Sequence, residues 1–398
     1  MRWLVLFTAV AFYSSPAIAQ LNYPLTDGSH VRASVRSDNQ QPSAKPAVWP
    51  VQLEMRVSFE PTAFPSEGRT YLMYELHLTN FGTAPVSLSR IEVLDADAAA
   101  AQPIATYEVE QLETMLQPLG GKIVSDPKGR LLIADGQSSI AFMSIVFESG
   151  SHIPDRLFHR VITTDSVGEG AVIATHHTEL HVLGPPVEGA NWLAADGPSN
   201  DQDNHHRRGV VILDGRAVDS RRYAIDWKQI KNDASFSGDP RDVRSYYSYG
   251  KAVLAVADGR VVTAIDGLPE NVPGHGDAFH PAVPITLETV AGNTITLDLG
   301  GGQFAYYLHL QPGSLRVKAG DRVRRGQMLA RIGASGDARE PHLHFEVTTS
   351  SKLVAGEGVP YLIERYRCKS ASGGPMELRI HELPLNHSVV VFGEDDGK

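Results

Sequence analysis

Cysteine is almost missing from this chain. A single thiol, Cys368, stands among 398 residues, so no intrachain disulfide can form, and stability has to come from packing or a bound ligand. Positive charge is also short: 36 Lys and Arg against 46 Asp and Glu leave a formal charge of −10. That balance argues against a general nucleic-acid binder and against electrostatic adhesion to an anionic membrane. Beyond the first residues no apolar run is long enough to span a bilayer. The Gly-x-Ser-x-Gly elbow, the P-loop and the dinucleotide fingerprint are absent, which removes the familiar signatures of serine hydrolases and nucleotide enzymes. Helical periodicity is scarce, and only residues 110–119, EQLETMLQPL, fit a short helix.

What is present is ordinary globular composition, 42% hydrophobic and 21% charged, with length for two domains. The start, MRWLVLFTAVAFYSSPAIAQ, has a basic residue at Arg2, an apolar stretch to Phe12 and the small-residue pattern Ala17-Ile18-Ala19. This is the layout of a cleaved signal peptide over residues 1–19, and it predicts a periplasmic or secreted protein. Residues 20–49, rich in Ser, Pro, Asn and Gln, are expected to form a flexible linker. Residues 50–185 carry short alternating segments such as VQLEMRVSFE and TYLMYELHLTNF between Gly, Pro, Asn and Asp turns. They predict an immunoglobulin-like β-sandwich accessory domain. Gly184-Pro185-Pro186 breaks the pattern, strands resume over residues 200–350, and residues 351–398 are expected to pack back as a C-terminal cap. The fold class is mostly β.

In EPHLHFEV, residues 340–347, strand alternation puts His342 and His344 on one face and Leu343 and Phe345 on the other. One face reads as core and the other as a site. Asp226, between Ile225 and Trp227, repeats that arrangement. Asp214-Gly215 between two extended runs is a favoured two-residue hairpin turn. Counting outward from it sets Leu213 opposite Arg216 and His205 opposite Ala224, on the same face as Asp226; one bulge would present His206 instead. The same count sets Arg222 opposite Arg207, a like-charge pair that needs a carboxylate, from a substrate or from Asp203.

Five stretches in order, RYAIDW with Asp226, GKAVLAVADGRVV, YYLHL with His309, VKAGDRVRRGQMLARIGASG and PHLHFEV, together resemble the zinc metallopeptidases of the lysostaphin and LytM type, peptidase family M23, over roughly residues 205–350. The resemblance implies an antiparallel β-sheet peptidase domain that binds Zn2+ and cleaves peptide cross-links of peptidoglycan. Asp226 and His344 match two of the family's metal ligands, and His309 and His342 match its two catalytic histidines, which serve the attacking water and the oxyanion. The family's third ligand is a His four residues before the Asp, where this chain has Arg222. A guanidinium stays protonated and cannot ligate zinc. The resemblance favours His206 as the replacement, whereas the turn count favours His205, and Arg222 is then expected to bind a substrate carboxylate. Loss of that His also motivates an alternative, a metal-free M23-like scaffold that binds and regulates other cell-wall hydrolases.

Other histidines carry less. His176 and His177 lie in the first domain without a matching partner and read as surface, while His275 and His280 sit in a Gly- and Pro-rich loop, residues 267–283, expected to rim the groove. VKAGDRVRRGQMLARIG also resembles lipoyl and biotinyl carrier hairpins, but its Lys318 precedes the turn and does not sit at the hairpin tip.

Overall fold

The computed structural model describes residues 50–98, 102–119 and 126–393; the expected signal peptide and linker lie outside the described residues. Two five-stranded sheets come first. One runs Leu53–Val57, Arg69–Asn80, Ser138–Phe147, Leu116–Pro118, with Phe64–Ser66 also on Arg69–Asn80. The other runs Val167–Ala174, Arg156–Thr163, Val86–Asp95, Ala105–Glu108, with Leu132–Ile133 also on Val86–Asp95. The sheets share one core because alternate residues point inward: Leu72, Tyr74, Leu76 and Leu78 from one meet Ile91, Val93 and Val161 from the other. Met73 and Glu75, on the reverse face of the same strand, are buried too. Met73 joins the core of the second half of the chain. The one α-helix among the described residues, Val109–Met115, is shorter than the sequence predicts, because Leu116–Pro118 leave it to pair with Ser138–Phe147.

An eleven-stranded sheet dominates the rest, beside two two-stranded sheets, Val211–Leu213 with Arg216–Val218 and Ala252–Leu254 with Met328–Arg331. Its middle runs Gly189–Ala195, Ile225–Gln229, Leu343–Thr348, Gln303–Leu310, Asn293–Gly300 and Gly259–Ile265. Leu343, Phe345 and Val347 pack with Ile225, Trp227 and Tyr307 in its core, so the polar residues between them are left on the opposite face. Beyond Gly189–Ala195 the sheet continues through Val389–Phe392 and Leu362–Lys369, and Phe392 meets Trp227 edge to face with ring centres 5.2 Å apart. No helix among the described residues is long and apolar enough to cross a membrane.

The hairpin at Asp214-Gly215 forms with φ of 48° and 76°, the left-handed pair a type I′ turn requires, and Leu213 faces Arg216. Its ladder nevertheless ends at Val211 opposite Val218. The pairings counted further out, His205 with Ala224 and Arg207 with Arg222, do not occur. Residues 204–209 curl instead into a hydrogen-bonded turn, with Arg208 N donating to Asn204 O at 3.1 Å and Gly209 N to His206 O at 3.0 Å. Ala224 N closes a second turn on Arg221 O at 2.9 Å. A backbone committed to local turns has no donors left for a ladder.

Candidate metal centre

Three neighbouring strands build the site floor. Asp226 on Ile225–Gln229 lies directly opposite His344 on Leu343–Thr348, and His344 lies opposite Leu308 on Gln303–Leu310. Alternation puts His342, His344 and Glu346 on one face. The same rule would send His309 into the core, since its neighbour Leu308 already shares the face of His344. His309 escapes by adopting φ of 64°, a left-handed conformation that costs a non-glycine residue on the order of 1–3 kcal/mol. Its ring thereby stands 4.9 Å from that of His342 and 6.0 Å from that of His344.

Each of three imidazoles is oriented by a backbone carbonyl. The Nδ1–H of His206 donates to Asp196 O at 2.8 Å, that of His309 to Ser335 O at 2.9 Å and that of His342 to Glu340 O at 2.8 Å. A carbonyl can only accept, so Nδ1 carries a proton in each, and in the neutral ring the lone pair is then on Nε2. Two of those Nε2 atoms face the Asp226 carboxylate: His206 Nε2 is 3.4 Å from Oδ1 and His342 Nε2 3.4 Å from Oδ2. His344 is turned the other way, with Nδ1 at 2.9 Å from Asp226 Oδ1 and Nε2 at 3.3 Å from Glu346 Oε2.

Burial and charge set the protonation. Burial alone would raise the Asp226 carboxyl, but His342, His206 and His344 hold it well below the usual range. Burial drives the His206 and His309 rings well below the ordinary imidazole value. Burial also opposes charge on His344, yet hydrogen bonds to Asp226 and Glu346 outweigh it and lift that ring to about 9.

The donor set fits zinc. His206 Nε2 and His344 Nδ1 stand 3.4 and 2.9 Å from Asp226 Oδ1, near the separation of about 3.3 Å that tetrahedral ligands keep at about 2.0 Å from the ion. Glu346 behind His344 and the Asp196 carbonyl behind His206 are the supporting acceptors that metal-bound imidazoles regularly have. His205, His206 and Asp226 also each offer a ligand atom within 4.8 Å of the others. His205, however, is 55% exposed at its side chain and its Nδ1 faces Asp196 Oδ1 at 3.1 Å.

Arg222 is not where a substrate would meet it. It is buried, its Nη2 lies 2.6 Å from Glu75 Oε2 and 2.8 Å from Glu357 Oε2, and its Nη1 donates to Gly358 O at 2.9 Å. The carboxylates it needs are supplied by the protein, and Asp203 is not among them. Arg221 lines the cleft in its place, beside His206, His309, His342 and His344, in a cavity of about 800 Å³. The Nε of Arg221 is buried without a hydrogen-bond partner among the described residues. Of the loop histidines, His275 lines this cleft and His280 does not. His177 pairs with Glu60 at 3.4 Å on the surface, away from the centre.

Sequence reasoning misses two carboxylates here, Glu346 and Glu340, and only the first has a signal, its spacing from His344. Glu346 lies two residues past His344 on a strand and shares its face, and Glu340 pairs with Lys228 at 2.9 Å.

Residues 243–355 match the model of Peptidase family M23. The match contains His309, His342 and His344 and begins after His206 and Asp226. Among curated proteins, the peptidoglycan DD-endopeptidase ShyB of Vibrio cholerae is 33% identical over 86 residues, 22% of this chain and 20% of that protein. The glycyl-glycine endopeptidase ALE-1 of Staphylococcus capitis is 30% identical over 128 residues, 31% of this chain and 29% of that protein. The chain thus spans less than a third of the length of either relative. Among solved structures, a zinc-containing peptidase from Vibrio cholerae is matched over 77% of this chain and 83% of its own, at 14% identity and a TM-score of 0.23. The catalytic domain of lysostaphin from Staphylococcus simulans is matched over 45% and 88%, at 20% identity and a TM-score of 0.22.

Proposed function

We propose that the protein is an exported zinc metalloendopeptidase, periplasmic or secreted, that cleaves peptide cross-links of peptidoglycan. The observation that carries this reading is that His206 Nε2 and His344 Nδ1 both face the buried Asp226 Oδ1, at 3.4 and 2.9 Å, with the two rings 4.7 Å apart. In this reading those three residues hold the metal, and His206 takes the role left open by Arg222. Bound zinc would supply Lewis-acid polarisation of the scissile carbonyl and a water that is nucleophilic near neutral pH.

The remaining chemistry belongs to the chain's own groups. His309 and His342 each keep Nδ1 engaged with a carbonyl, so Nε2 is the only ring atom free to accept the proton of an attacking water. Once protonated, the same Nε2–H becomes a donor for the developing oxyanion and then for the departing amine. Burial keeps His309 neutral beforehand, which suits a base. An extended peptide fits a cleft walled by strands and loops. Arg221, on the cleft wall, is the group for a substrate carboxylate, and the sandwich stands as an accessory domain. The curated relatives, a peptidoglycan DD-endopeptidase and a glycyl-glycine endopeptidase, support the substrate class. The metal-free scaffold is the weaker reading, because its motive was the loss of a ligand at Arg222 and a buried imidazole stands ready to replace it.

Digestion of purified sacculi by the mature protein, followed by mass analysis of the muropeptides, tests the reading. Cross-linked dimers are expected to fall and monomers to rise, with activity abolished by a chelator and restored by zinc. Unchanged dimers with zinc-supplemented protein would overturn it.

A further inference from the structure

The turn that carries His206 has no hydrophobic hold on the molecule. Residues 196–217, all of them described, contribute no hydrophobic side chain to the core. The turn is held by hydrogen bonds, an ion pair and the contact of its two arginines with the Phe142 ring. Asn204 Oδ1 accepts from the backbone N of both His206 and Arg207 at 3.0 Å, and Asn204 Nδ2 donates to Gly197 O at 2.7 Å. A tight turn splays successive side chains. His206 points to Asp226 while Arg207 and Arg208 point to the sandwich.

Arg207 is fully buried there. Its Nη1 is paired with the Glu75 carboxylate, and its Nη2 donates to Tyr74 O at 2.9 Å and to Met143 O at 3.0 Å. Arg208 donates to Thr114 O at 3.2 Å and lies over the Phe142 ring, 4.1 Å from its centre. Glu75 also receives Arg222, whose Nε lies 2.9 Å from Oε2. Carbonyl acceptors satisfy hydrogen bonds but do not neutralise a guanidinium, and an unpaired buried charge costs several kcal/mol. Glu75 is therefore the group that makes the buried position of Arg207, one residue from the metal donor, tolerable.

Resting on the zinc reading above, we propose that the sandwich completes the metal centre: Glu75, acting through Arg207, is a positioning residue that fixes the turn of residues 204–208 and with it the His206 imidazole. The first half of the chain is then part of the metal site's construction, and the sequence position where related enzymes place a ligand is used by Arg222 to bind the same carboxylate. A donor held within a fraction of an ångström needs such support, and loss of groups that orient ligands typically weakens metal binding about 10–100-fold.

The test uses the full mature chain and two variants, Arg207→Met and Arg207→Lys. Removing Arg207 leaves Glu75 paired with Arg222, so no carboxylate is stranded. Zinc affinity is measured by competition with a chelating dye, and the melting temperature of the metal-free protein is measured in parallel. Arg207→Met is expected to bind zinc about 10–100-fold more weakly than wild type, and Arg207→Lys to recover part of that loss because it restores the charge without the fork. A purely structural Arg207 would lower the melting temperature and leave zinc affinity unchanged, which would overturn the inference while leaving the zinc reading intact. If Arg207→Met fails to fold, Arg207→Lys carries the same comparison. Wild-type protein that takes up no zinc would overturn both.

Discussion

Asp226→Asn protein is expected to purify folded, without zinc, and with peptidase activity reduced about a thousandfold or more. Asp226 is the hub of the site, facing His344 Nδ1 at 2.9 Å and the Nε2 atoms of His206 and His342 at 3.4 Å each. Asparagine keeps the shape and removes the carboxylate that faces those rings. The surrounding core residues Ile225, Trp227 and Phe345 are untouched, so circular dichroism should match wild type. Retained activity in this variant would mean that the reaction does not use the centre described above.

Glu75→Ala is expected to be the most damaging single change outside the cleft, lowering stability by about 3–5 kcal/mol. It strands two buried guanidinium groups, Arg207 and Arg222, of which Glu357 can reach only the second. The effect should depend on pH. Burial alone would raise the Glu75 carboxyl, but Arg222 and Arg207 hold it down at about 2. Its folded value lies below its unfolded one, so its contribution is complete above about pH 4.5 and is lost as pH falls toward 2. Asp219, buried beside Glu75, is pushed up to about 7 and acts in the opposite sense, costing stability as pH rises through that value. Chemical denaturation of metal-free wild type and variant at pH 6 and pH 3 checks this. The gap between them should narrow at the lower pH, and a constant gap would contradict the account.

Much of the cleft was legible in the sequence because strand alternation is a local rule. It places His342, His344 and Glu346 on one face and Leu343 and Phe345 on the other without knowledge of the partner strands. The Asp214-Gly215 turn was equally local. His309 escaped the rule, since nothing in YYLHL announces a left-handed backbone that turns the ring away from the core. The register beyond the hairpin escapes it as well, because past Val211 and Val218 both strands leave the ladder for turns of their own. Arg222 shows the limit of local inference most clearly. Its need for a carboxylate was readable, but the partner, Glu75, lies 147 residues away on a strand assigned to another domain, and no spacing rule connects them.

Elemental analysis of purified wild-type protein beside His206→Ala and Asp226→Asn tests the central claim most directly. The account predicts about one zinc per chain in wild type and almost none in either variant, with all three folded. Zinc retained in full by His206→Ala, or absent from wild type after incubation with the metal, would contradict it.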